Sequence, residues 1–122
     1  MGTFYVDCEV TNHIERQRSA NVAKMLVDTG SEYTWIDDSV LQAIGVVPEK
    51  KDLLFQMANG QTITRTVGFA ILRFGNYFTI DEVVFAQQGD LNLLGARTLE
   101  GMNLTVDAQK KKLVAAGPLP AA

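Results

Sequence analysis

Met25-Leu26-Val27-Asp28-Thr29-Gly30-Ser31 decides how this chain is read: three apolar residues run into an acid, a hydroxyl, a glycine and a second hydroxyl. The pattern predicts a buried strand that ends by delivering one carboxylate into a tight turn. Gly30 removes a side chain where a second backbone or a substrate would approach, and the hydroxyls of Thr29 and Ser31 are placed to hold a carboxylate. Asp28 is therefore the candidate catalytic residue. An ordinary turn is the competing reading, because Asp, Gly and Ser all favour turns. Asp-Thr-Gly followed by a small residue arises by chance in roughly one chain of this length in a few hundred.

Working outward, the 122 residues, 47% of them apolar, suffice for one domain with its own core and are too few for two. The net charge of -3 points to no polyanionic partner. The one concentrated basic run, Lys110-Lys111-Lys112, falls where a strand-to-strand turn is expected, so no nucleic acid is expected. Cys8 is the only cysteine, which rules out an internal disulfide and agrees with a reducing compartment; a cytoplasmic location is expected. The N-terminus has no signal-peptide pattern and no apolar run is long enough to cross a bilayer, so no membrane partner is expected either. Met1-Gly2 would begin an acylation pattern, but Val6 stands where Ser or Thr is needed. His13 is the only histidine and reads as a surface residue rather than a ligand; no metal and no cofactor are expected.

The flanking sequence is rich in strand signals. Phe4 to Val10 alternates as a half-buried strand, Asn12 to Arg18 is a polar hairpin connection, and Asn21 to Asp28 is the strand carrying the motif. Tyr33 to Ile36 is a short strand, after which Asp37 or Asp38 caps a one-to-two-turn helix that runs through Ile44 and stops at Gly45. Leu53 to Ala58, Asn59-Gly60 and Gln61 to Phe74 form a strong hairpin signal, with Gly68 as a bend or bulge. Gly75-Asn76 is a second tight turn before a strand from Tyr77 to Ala86, and Gln87 to Asp90 is a polar loop. A short helix is predicted from Ala96 to Gly101, then a closing hairpin from Leu104-Thr105-Val106 and Lys112-Leu113-Val114. The fold class is mainly β: a small closed barrel with one or two short helices, spanning residues 1–116 and followed by an irregular tail at 117–122.

Leu93-Leu94-Gly95 gives a second apolar-apolar-Gly turn downstream of Asp28-Thr29-Gly30. With both motifs in this order, the chain resembles the retropepsin-like, clan AA single-domain aspartic proteases, from roughly Asn21 to Val114. The resemblance implies an acid-protease-type barrel acting as an aspartic endopeptidase. It makes Thr29, Gly30, Ser31, Leu94 and Gly95 the support of the active site, and the hairpin tip Met57, Ala58, Asn59, Gly60 and Gln61 a flap that closes over bound peptide. Thr29 would bond across a twofold axis and lock two catalytic turns together.

Peptide hydrolysis without a metal or a side-chain nucleophile needs one carboxylate to take a proton from water and a second acid to protonate the carbonyl. In aspartic proteases two carboxylates share one proton and titrate as a pair. Only one Asp-Thr-Gly is present, and Asp81, Asp90 and Asp107 are not followed by Thr-Gly or Ser-Gly. The simplest source of the second acid is Asp28 of a symmetry mate, so a homodimer is expected. Its substrate would be an extended peptide or protein segment lying between the turns and the flaps. The alternative is a proteolytically silent module of the same fold that binds peptides or mediates dimerisation, although such a module has no reason to keep an acid that repels its symmetry mate. Two departures favour a cellular or bacterial type of member over a viral one. Ala96, not Arg, follows Gly95, which shifts any contact between Glu32 and Arg97 by one place, and the hairpin tip has a single glycine.

Overall fold

The computed structural model describes residues 3–121. Met1 and Gly2, where the acylation pattern would begin, and Ala122 of the tail lie outside the described residues. The elements in chain order are β1 (Tyr5–Thr11), β2 (Ser19–Val27), β3 (Thr34–Asp37), α1 (Asp38–Ala43), β4 (Lys50–Gln56), β5 (Thr62–Phe74), β6 (Tyr77–Ala86), β7 (Leu93–Leu94), α2 (Ala96–Gly101), β8 (Leu104–Asp107) and β9 (Lys112–Ala115). The chain is mainly β with two short helices, and no element is assigned from Ala116 to Ala121. Among the described residues, no helix is long and apolar enough to cross a membrane.

A seven-stranded sheet runs in the order β1-β2-β7-β3-β6-β5-β4, and a further pairing of β1 with β5 closes a ring of strands that leaves β4 as an edge. β8 and β9 form a separate two-stranded sheet, whose Leu104 and Leu113 are buried in the main core. That core gathers Val10, Met25, Ile36, Leu41, Leu72, Phe85 and Leu94, all at most 2% exposed. Burying each such large side chain stabilises the fold by about 1.5–3 kcal/mol.

Simple alternation does not describe β2. The register of β1 with β2 passes from Val6↔Met25 to Cys8↔Val22, so β2 carries one extra residue there. Lys24 absorbs it at φ +57°, and its amide donates to the Asp7 carboxylate at 3.0 Å. The bulge turns both Val22 and Met25 into the core although they are three residues apart, and it re-phases the strand just before Asp28.

Asp37, of the two acids expected to cap α1, is the N-cap: its Oδ1 accepts from the Ser39 amide (2.8 Å) and hydroxyl (2.7 Å). Those bonds hold its carboxyl below the usual range. Gly68 is neither bend nor bulge, because the β5–β6 register runs unbroken through Gly68↔Val83. The irregularity lies opposite, on β4 between Lys50 and Leu53, with Asp52 at φ +55°. Gly68 is needed for close approach instead, since a Cβ there would lie 2.6 Å from the Val47 carbonyl oxygen.

Candidate active site

The Asp28 turn is fixed from below by β7. The Asp28 amide donates to the Leu94 carbonyl at 3.0 Å, which continues the parallel pairing Leu26↔Leu93 and Val27↔Leu94. The next turn is closed by the Ser31 amide donating to the Asp28 carbonyl at 3.1 Å. The carboxylate itself accepts from the Gly30 amide at 2.9 Å. Neither expected hydroxyl holds it among the described hydrogen bonds: Ser31 Oγ donates to the Tyr33 carbonyl at 2.8 Å, and Thr29 is exposed.

α2 begins directly beneath this turn. The amides of Ala96 and Arg97 donate to the carbonyls of Ser31 (2.7 Å) and Glu32 (3.1 Å). Gly95 cannot carry a side chain, because a Cβ would lie 2.3 Å from the Tyr33 carbonyl oxygen. Its amide donates to Thr34 Oγ1 at 3.0 Å, Thr34 Oγ1 lies 2.6 Å from Thr98 Oγ1, and Thr98 Oγ1 donates to Asp81 Oδ2 at 2.9 Å. Each hydroxyl has one proton, so the direction is set: Thr98 donates to Asp81, and Thr34 donates to Thr98 while accepting from Gly95. Both threonines are fully buried. The two motifs, 65 positions apart in sequence, are thus held as one unit by Leu94, Gly95 and a relay of two hydroxyls.

Asp28 opens onto a cavity of about 690 Å³. Gly30, Ser31, Glu32, Tyr33 and Trp35 form the wall that continues from the turn, the consecutive residues Leu53 to Ala58 form the opposite wall, and Gly89 to Leu91 with Leu93 close one end. Phe55 ties the walls together, packing edge-on against Tyr33 (5.3 Å between centroids) and tilted against Trp35 (5.2 Å).

Of the hairpin-tip residues, Met57 and Ala58 line the cavity, whereas Asn59, Gly60 and Gln61 are exposed and outside its lining. The turn is a three-residue loop rather than a two-residue one. The Met57 amide donates to the Gln61 carbonyl (2.7 Å), the Gly60 amide to the Met57 carbonyl (2.9 Å), and only Gly60 of the Asn-Gly pair has positive φ, at +87°.

Asp90, at the end of the polar loop from Gln87, is a second carboxylate at the cavity, and it is already engaged. Arg65 of β5 grips it in two places (2.7 and 3.0 Å), and the Gln87 amide donates to it at 2.8 Å. The Arg65 bonds, reinforced by the amide, hold its carboxyl below the usual range, so it stays ionised. Among the described residues Glu32 and Arg97 form no side-chain ion pair. The guanidinium of Arg97 reaches Glu82 (3.0 Å) and Asp81 (3.9 Å) and lies 4.8 Å over the Tyr33 ring; only its backbone amide meets Glu32. Lys50 above all, and then Arg97, hold Glu82 below its ordinary value. Among the described residues no group of three or more His, Cys, Asp or Glu could hold a metal ion.

One carboxylate oriented by an amide at a peptide-sized cavity can take a proton from water; a second, protonated acid is still required to complete hydrolysis. A family model described as aspartyl protease matches residues 16–98, a span that contains Asp28, the hairpin and Leu94-Gly95. No curated protein matches the chain at a significant level.

Proposed function

The chain belongs to the aspartyl protease family, in agreement with its retropepsin-like motifs, and from this premise we propose that it is an endopeptidase that cuts extended peptide segments between the Asp28 carboxylates of a homodimer. The observation that carries this reading is the state of the cavity's three carboxylates. Asp90 is bound by Arg65, Glu32 is exposed with no hydrogen bond to fix its carboxylate among the described residues, and Asp28 alone is oriented on a braced turn. The chain thus has one well-placed acid where the reaction needs two, and a twofold axis supplies the other.

In this mechanism one Asp28 is ionised and draws a proton from a water held between the pair, while its protonated mate gives a proton to the scissile carbonyl oxygen. The two acids share one proton because like charges in close contact do not both ionise. Thr29, exposed beside the axis, bonds across it, and Gly30 leaves room for the peptide backbone. The substrate lies as an added strand along the free edge of β4, with Met57 to Gln61 as a flap over it. The subunit is an acid-protease-type barrel, a reading supported by the β1–β5 pairing that closes the ring.

The test is hydrolysis of an unfolded protein substrate, from acidic to neutral pH, by wild type and Asp28→Asn at several enzyme concentrations. Cutting by wild type alone, with specific activity that falls on dilution, is the expected result. Equal cutting by the variant would remove Asp28 from the mechanism. Silence of a folded, dimeric wild type would favour the peptide-binding module instead.

A further inference from the structure

The lining of the Asp28 cavity contains three carboxylates and no Lys, Arg or His. Two of the three have a task or a partner: Asp28 is the reacting acid of the proposal above, and Asp90 is neutralised by Arg65 at 2.7 Å. Glu32 is left. It is exposed, lines the cavity four residues beyond Asp28, and has no ion pair among the described residues. The cation that the fold brings beside it is Arg97, whose amide sits 3.1 Å from the Glu32 carbonyl. The Arg97 guanidinium is drawn off by Glu82, Asp81 and the Tyr33 ring, so the Glu32 charge is not cancelled from within the subunit.

An unpaired negative charge at the wall of a half-open, largely apolar groove attracts a cationic side chain with a long apolar stem. The stem of such a side chain can pack on apolar residues of the lining while its head reaches the carboxylate. We infer that Glu32 selects peptides that carry a lysine or arginine side chain in the subsite beside the catalytic turn. The inference deepens the peptidase reading and rests on it. An exposed ion pair of this kind contributes up to about 1 kcal/mol, which corresponds to about a fivefold preference in kcat/KM, weakened by salt.

The experiment uses fluorescent peptides of one extended, largely apolar sequence, identical except for Lys, Gln or Glu scanned through successive positions. For wild type, the Lys-to-Gln ratio of kcat/KM rises to about five at one position; in Glu32→Gln it falls to about one, and in Glu32→Lys the Glu peptide becomes the best of the three. Reading ratios cancels any loss of folded or dimeric enzyme. Binding of the same fluorescent peptides to Asp28→Asn, with and without Glu32→Gln, gives a second measure that needs no turnover. Cleavage without a basic preference, or a preference that survives Glu32→Gln, overturns the inference and leaves the peptidase reading intact. A basic preference in binding that depends on Glu32, without cleavage by wild type, supports the inference and removes the peptidase reading.

Discussion

Replacing Thr34 with Val keeps the shape of the side chain and exchanges its hydroxyl for a methyl at a site with no solvent exposure. In the native protein no buried side-chain nitrogen or oxygen among the described residues lacks a hydrogen-bond partner. The substitution orphans the Gly95 amide, which donates to Thr34 Oγ1 at 3.0 Å, and removes the proton that Thr34 gives to Thr98. Leaving a buried amide unpaired costs about 1–3 kcal/mol and losing a neutral hydrogen bond about 1 kcal/mol, so a total of about 2–4 kcal/mol is expected. For a chain of this length that lowers the Tm by about 10 °C. Thr34→Ser is the control: it keeps the relay and loses one methyl, for about 1 kcal/mol. Thermal and urea unfolding followed by circular dichroism, at one protein concentration because association would shift the midpoint, gives both values. Val within about 0.5 kcal/mol of wild type, or Ser as harmful as Val, would refute the relay as a source of stability.

Gly95→Ala drives a methyl to within 2.3 Å of the Tyr33 carbonyl oxygen, and since the obstacle is backbone the turn must shift. A loss of about 3 kcal/mol is expected in urea unfolding, and wild-type stability would show that the two motifs are less tightly apposed than described here. Asp90 gives a pH-dependent prediction. Its folded carboxyl lies below its unfolded value because Arg65, then the Gln87 amide, favour the charged form. It therefore contributes stability above the unfolded pKa of about 3.9, lost as pH falls through the lower folded value. Asp90→Asn should be less stable than wild type at neutral pH, with the gap narrowing as the solution is acidified through that window in a series of denaturation curves. A gap that stays constant with pH would rule out the Arg65–Asp90 pair as its cause.

Local chemistry was legible in the sequence where it determines structure locally. The β2 strand and its Asp28 turn, an acidic cap of α1 at one of the two expected residues, a hairpin about Asn59-Gly60 though with a longer turn, and the helix from Ala96 to Gly101 stand where short-range signals put them. What the sequence hid are choices between partners far apart in the chain. Nothing in Arg97 says that it will prefer Glu82 to Glu32, because that depends on β6 arriving beneath α2. Gly68 is ambiguous in sequence because a glycine inside a strand signals either a bulge or a close neighbour, and the neighbour, Val47, lies in a loop whose path is set by tertiary packing. Thr34 and Thr98 are ordinary residues in a strand and a helix; only their burial, 64 positions apart, makes them a relay. Arg65 and Asp90 offered no pattern at all, since one lies mid-strand and the other in a polar loop.

The two-residue strand β7 pairs parallel with β2 and antiparallel with β3, so it can dock only between segments already in place. As the chain leaves the ribosome, Asp28 emerges long before Leu94, whose carbonyl seats it, and before Gly95 and Thr98, which brace it. Loop closure across such a separation is entropically costly and comes late in folding. The carboxylate therefore remains unseated until Leu94, Gly95 and Thr98 have been made, and any activity that resides in it is withheld until then.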